Sequence, residues 1–152
     1  MASLETDVLF DLIRSKRECL ERLQMMGQRQ MELIEADQMT ALLDLLAYKQ
    51  RTLGDLQKIE RNLNPFRGQS PETRQWRSEE ARRRCAEELN TCETLLAGII
   101  ERERASEQAM ISRRDRAAAQ LQGMHRASQA RASYAGPAAC SISQIDLCSD
   151  AS

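Results

Sequence analysis

The chain has 152 residues, 22 Lys and Arg against 23 Asp and Glu, a net charge of −1 and 41% hydrophobic residues. With 6 glycines, 3 prolines and 3% aromatics it is poorly supplied with the residues that turn and fill sheets, and rich in Leu, Ala, Met, Arg, Glu and Gln, which favour helix. The even charge balance weighs against a nucleic-acid binder, which carries a basic surplus. No run approaches the roughly 18 apolar residues of a membrane span. The acidic start Leu4-Glu5-Thr6-Asp7 is unlike a secretory leader, so an all-α cytoplasmic chain is expected.

A first arm is predicted from about residue 4 to 63, a stretch without proline. Apolar residues recur three and four apart at Leu9, Leu12/Ile13, Cys19/Leu20, Leu23, Met26, Met31 and Ile34, then at Leu42, Leu45/Leu46, Leu53, Leu56, Ile59 and Leu63. This is the stripe of an amphipathic helix, which as one rod would span roughly 90 Å. Asp37 can serve as N-cap for the apolar stretch that follows, so a break near Glu35-Ala36-Asp37 is weighed against a continuous rod and slightly preferred.

Residues 64–71, Asn-Pro-Phe-Arg-Gly-Gln-Ser-Pro, read as a loop. Pro65 pushes Asn64 out of helical space, and Ser70-Pro71-Glu72 has the order of an N-cap, a first helical proline and a first-turn acid. A second arm, 72–131, would pack antiparallel on the first, with Trp76 and Phe66 capping that end. Its stripe Trp76, Ala81, Cys85, Leu89, Cys92, Leu96 and Ile99 alternates fours and threes from Cys85, a coiled-coil seam. The stripe fades over 101–108 and returns at Met110/Ile111, Ala117/Ala118, Leu121 and Met124. The result would be a long, thin, coiled-coil-like hairpin or bundle forming one domain, 1–131. Residues 132–152 read as a flexible tail, too short and polar to offset their ordering entropy.

Catalytic signatures are missing: there is no phosphate loop, nucleophile elbow or zinc-protease motif, and a thin hairpin offers little concavity for shifting a pKa. The acid pairs Glu79/Glu80, Glu87/Glu88 and Glu101/Glu103 read as solvated surface. Arg82-Arg83-Arg84 and Arg113-Arg114-Asp115-Arg116 sit beside acids three or four residues away. His125 is a lone histidine on a helix flank. Five cysteines without a C-x-x-C pair suggest reduced thiols, Cys19, Cys85 and Cys92 acting as small apolar residues. Neither metal nor cofactor is expected, and no enzyme.

The third apolar group is the candidate binding strip. Met110, Ile111, Ala117, Leu121 and Met124 combine methionine and small residues, an adaptable lining for another helix. The plainer alternative is that this strip packs on the start of the first arm near Leu9, Leu12 and Ile13.

The run Leu33-Ile34-Glu35-Ala36-Asp37, Leu42-Leu43, Lys49, Leu53, Leu56 and Arg61 resembles the leucine spine of FlgN-type flagellar export chaperones. Leu46 through Arg67, Cys92 with Leu95-Leu96, and Ala130 with Tyr134 extend the similarity over nearly the whole chain. The resemblance implies a cytoplasmic, non-enzymatic helical bundle that holds amphipathic terminal helices of hook-associated (filament-junction) proteins and delivers them to the flagellar type III export gate. It implies cargo binding between Met110 and Tyr134, with Tyr134 contacting the export machinery, in a monomer or homodimer. A self-associating coiled-coil adaptor is the competing expectation.

Overall fold

A computed structural model describes residues 4–134. The described residues form α1 (Glu5–Glu35), α2 (Met39–Arg67), a short 3-10 turn (Pro71–Thr73) and α3 (Glu79–Tyr134), with no strand among them. The chain divides into two units, Met1–Ala109 and Met110–Ser152. No helix among the described residues is long and apolar enough to cross a membrane. The all-α bundle is therefore present, but the first arm is two helices rather than one. The predicted tail begins late, since α3 continues through Ala132 and Ser133 to Tyr134; the remainder of that tail lies outside the described residues.

The break falls at Ala36–Gln38, and its chemistry differs from an N-cap. Asp37 has φ 57°, in the left-handed region that L-residues adopt at a cost. Its N–H donates to the Ile34 carbonyl at 3.1 Å, and the Gln38 N–H donates to Leu33 at 2.9 Å. These two bonds form a Schellman closure, with Asp37 in the place usually held by glycine. Asp37 thus ends α1, and Gln38, not Asp37, is the N-cap of α2. The reversal lays α2 antiparallel on α1. The Cys19 thiol donates to the Thr52 carbonyl, Lys16 pairs with Glu60 at 2.7 Å, and Lys49 donates to Gln30 at 3.0 Å.

Within the first unit, α1 is the central helix. Thr6, Ile13, Leu20, Gly27 and Ile34 form one buried row at heptad spacing, and Cys19, Met26 and Leu33 form another beside it. Leu9, Leu23 and Gln30 are buried between them, so the stripe is wide enough to need two partners. Cys19 and Gln30 reach α2. Ile13 accepts from the Cys92 thiol, while Gly27 faces Arg102, whose Cδ would lie 3.2 Å from an added Cβ. Arg17 also pairs with Glu88. Residues 79–109 of α3 therefore run parallel to α1, an up-down-up arrangement in place of two opposed arms.

The loop differs at both ends. Pro65 sits inside the last turn of α2, which continues to Arg67, past the expected stop at residue 63; the Pro65 ring occupies the end of a helix already stabilised by packing through Leu63 and Phe66. The signal Ser70-Pro71-Glu72 does start helical structure, but only the 3-10 turn, after which the chain extends. The third long helix, α3, starts at Glu79, where the Ser78 hydroxyl accepts from the Ala81 N–H at 3.1 Å. What holds residues 74–78 out of helix is tertiary bonding. Thr6 donates to the Gln75 carbonyl at 2.7 Å, Arg74 donates to the Phe66 carbonyl at 2.7 Å, and Arg77 clasps Asp7 at 2.7 Å. Trp76 and Phe66 pack on the main core, capping this end as expected.

The seam of α3 is also displaced. Cys85 and Cys92 are buried and Leu95 and Ile99 pack on the core, whereas Leu89 and Leu96 are exposed. Cys85, Cys92 and Ile99 keep their inner places, and the positions between them are taken one residue earlier than expected, by Glu88 and Leu95. Beyond Ile99 the inner row becomes polar. Glu103 pairs with Lys49, and Ser106 is 1% exposed, its hydroxyl without a hydrogen-bond partner. This polar layer separates the large core from a small one of Leu33, Ile34 and Leu42 with Leu45 and Ala109, and explains why the apolar stripe fades over 101–108.

Two outcomes follow. Replacing Asp37 by Gly should keep or raise the urea midpoint, while Asp37→Val should cost about 1–2 kcal/mol, the penalty of left-handed backbone at a side chain less suited to it. The hydrogen bond from Arg77, then that from the Leu4 N–H, holds the Asp7 carboxyl below its ordinary value of 3.8. A depressed folded pKa gives stability that is present above the ordinary value and is lost as pH falls through the folded one. Trp76 fluorescence should therefore report loosening of the 74–78 segment below pH 3.8, and Asp7→Asn should show the same change at neutral pH.

Candidate functional site

The strip expected to bind a partner lies in the second unit, whose described residues are the helical stretch 110–134. At about 100° per residue, Met110, Ala117, Leu121 and Met124 fall within roughly 60° of one another on one face. Ile111 is turned about 100° from Met110, and Tyr134 about 140° from Leu121. The helix thus brings together four of the six predicted residues and leaves Ile111 and Tyr134 off the strip.

Leu121 is 66% exposed, Met124 67% and Tyr134 92%. Met110 is 39% exposed, Ala117 is exposed and Ile111 is half-buried. Of the positions that the plainer alternative assigned to this strip, Leu9 and Ile13 are buried in the first unit's core with Leu63, Cys85 and Cys92, and Leu12 packs half-buried against that core. His125 is exposed and its Nε2 lies 3.1 Å from the Gln129 amide. Arg114 contacts Asp115 at 3.4 Å, the kind of local neutralisation expected of a solvated face.

Groups of His, Cys, Asp and Glu able to hold a metal are absent among the described residues. Cys19, Cys85 and Cys92 are free and buried, and burial pushes each thiol above its ordinary pKa. Raised thiol pKa values give little thiolate, so these cysteines are packing groups rather than nucleophiles. Cys140 and Cys148 lie outside the described residues.

Sequence reasoning missed the polar layer of Gln30, Lys49, Glu103 and Ser106. Lys49 is nearly buried, with Gln30 and Glu103 as its acceptors. A lysine flanked by Tyr48 and Gln50 carries no mark of burial in sequence. The one available signal was the gap in the α3 stripe opposite it. Comparisons with family models, with curated proteins and with solved structures found no match to the chain.

In a Cys140→Ser, Cys148→Ser protein, the remaining thiols should resist alkylation at neutral pH and react fully in urea. Rapid labelling of the native protein would show that the first unit opens around them.

Proposed function

We propose that this chain is a non-enzymatic helix-binding chaperone whose strip at Met110, Ala117, Leu121 and Met124 receives an amphipathic helix of a partner protein. The observation that carries the reading is the exposure of Leu121 and Met124, about two-thirds each, on one helical face. Large apolar side chains aligned in this way are the anchors of helix pairing, read at three-, four- and seven-residue intervals. Methionine adapts to more than one partner surface, and a strip of only a few such residues lets the guest leave again.

The FlgN-type resemblance supplies the finer identity: a cytoplasmic chaperone of type III flagellar export whose guests are terminal helices of hook-associated proteins. Such helices stay unpaired until a filament assembles, so a temporary partner keeps their apolar faces out of water. Tyr134 lies off the strip and is highly exposed, which suits a separate contact with the export gate.

A second reading, a self-associating coiled-coil adaptor, is favoured by the heptad interval of Met110, Ala117 and Met124. Light scattering across a concentration series separates the two. The chaperone should keep one mass without guest, and the adaptor should form a stable oligomer through this strip.

Leu121→Glu and Met124→Glu should each abolish capture of purified hook-associated protein while the helical circular dichroism signal stays the same. Undiminished capture by both variants would overturn the site.

A further inference from the structure

A cavity of about 360 Å³ opens in the first unit beside the connector between α2 and α3, residues 68–78. Its apolar lining comes from Leu9, Ile13, Leu63, Cys85, Leu89 and Trp76. Four cationic side chains share the lining, each from a different element: Lys16 of α1, Arg67 of α2, Arg74 of the connector and Arg82 of α3. Lys16 and Arg67 both pair with one carboxylate, Glu60. Burial opposes ionisation of Glu60, but hydrogen bonds from Lys16 and Arg67 outweigh it and lower its pKa, so Glu60 stays charged and occupied.

The other two cations have no carboxylate partner among the described residues. The Arg74 guanidinium donates from Nη2 to the Phe66 carbonyl, while its buried Nε has no hydrogen-bond partner. Arg82 is exposed, its backbone N–H serves the first turn of α3, and no carboxylate among the described residues pairs with its side chain. An orphaned buried donor is costly unless an acceptor reaches it, and guanidinium groups match carboxylates in geometry as well as charge.

We propose that this cavity is a second binding site, for an acidic peptide segment that inserts one large apolar side chain and sets a carboxylate on each of Arg74 and Arg82. Charge complementarity identifies the occupant. One carboxylate engages one guanidinium fork, so uncompensated cations on separate elements call for several acids spaced along a chain. A single-headed amphiphile supplies only one. The site lies wholly in the first unit and does not depend on the strip at 110–134.

Trp76 is the only tryptophan and lines the cavity, so its emission reports occupancy in the full chain. The probe is a capped synthetic peptide with one phenylalanine flanked on each side by two glutamates. It should change Trp76 emission saturably, more weakly as salt is raised. Exchanging glutamates for glutamines, or phenylalanine for serine, should remove the response. Arg82→Glu should weaken binding at least about tenfold, as loss of a charge-assisted bond and reversal of the charge require. Arg82 is the decisive position because its exposed side chain holds no part of the fold, whereas Arg74→Gln also removes the bond to Phe66. Equal binding of the glutamine peptide would overturn the proposal in favour of an apolar pocket alone. A response to dodecanoate with none to the peptide would overturn it in favour of a small amphiphile. Silence toward the peptide at about 1 mM, a binding free energy weaker than roughly −4 kcal/mol, would also overturn it.

Discussion

Two buried rows on α1 have to be covered from different directions, and the left-handed backbone at Asp37 makes the first covering available. With the chain reversed at Ala36–Gln38, α2 reaches Cys19 through Thr52, and reaches Gln30 and Lys16, which lie between the two rows, through Lys49 and Glu60. The other row, with Ile13 and Gly27, is left for residues from α3. From Cys19 onward each heptad of α1 thus contributes an adjacent buried pair, Cys19/Leu20, Met26/Gly27 and Leu33/Ile34, and burying their apolar side chains stabilises the first unit. A continuous rod over residues 5–67 would have placed Leu42 and Leu63 beyond the reach of Leu33 and Leu9, with which they share cores.

The polar layer limits how the helices can slide. Lys49 finds Gln30 on one neighbour and Glu103 on the other, and a shift of either helix by a turn would take one acceptor from a nearly buried ammonium. Loss of one partner from such a group is expensive, whereas hydrophobic contacts alone tolerate slippage. Gly27 acts in the same zone by letting the Arg102 stem lie close against α1. Register is thus set by a few polar and small residues, and stability by the leucines and cysteines around them.

Helical class, the loop region, the role of Phe66 and Trp76 and the inert thiols were legible because each rests on local propensity or simple periodicity. The doubled positions Leu12/Ile13 and Cys19/Leu20 also contained the central place of α1, since a helix with one partner needs only one row. Other features were settled by tertiary contacts. Ser70 and Ser78 both look like N-caps, and the bonds of Thr6, Asp7 and Phe66 to residues 74–77 decide for Ser78. The inner row of α3 moved to Glu88 and Leu95 because it adapts to α1, and sequence spacing cannot choose between Leu95 and Leu96. On the strip, Met110, Ala117, Leu121 and Met124 follow from helical angle, which also removes Ile111 and Tyr134. The cationic cavity was invisible in sequence because its four charges come from four elements.

The order in which the bonds become available along the chain has a consequence during synthesis. The α1–α2 hairpin is closed by local contacts and can form as soon as residue 67 has left the ribosome. The start of α1 stays unfastened at that stage, since the groups that grip Thr6 and Asp7 belong to Gln75 and Arg77. Until residues 79–109 follow, Ile13, Leu20 and Gly27 face water, and the nascent hairpin carries a sticky flank that only its own later segment is shaped to cover.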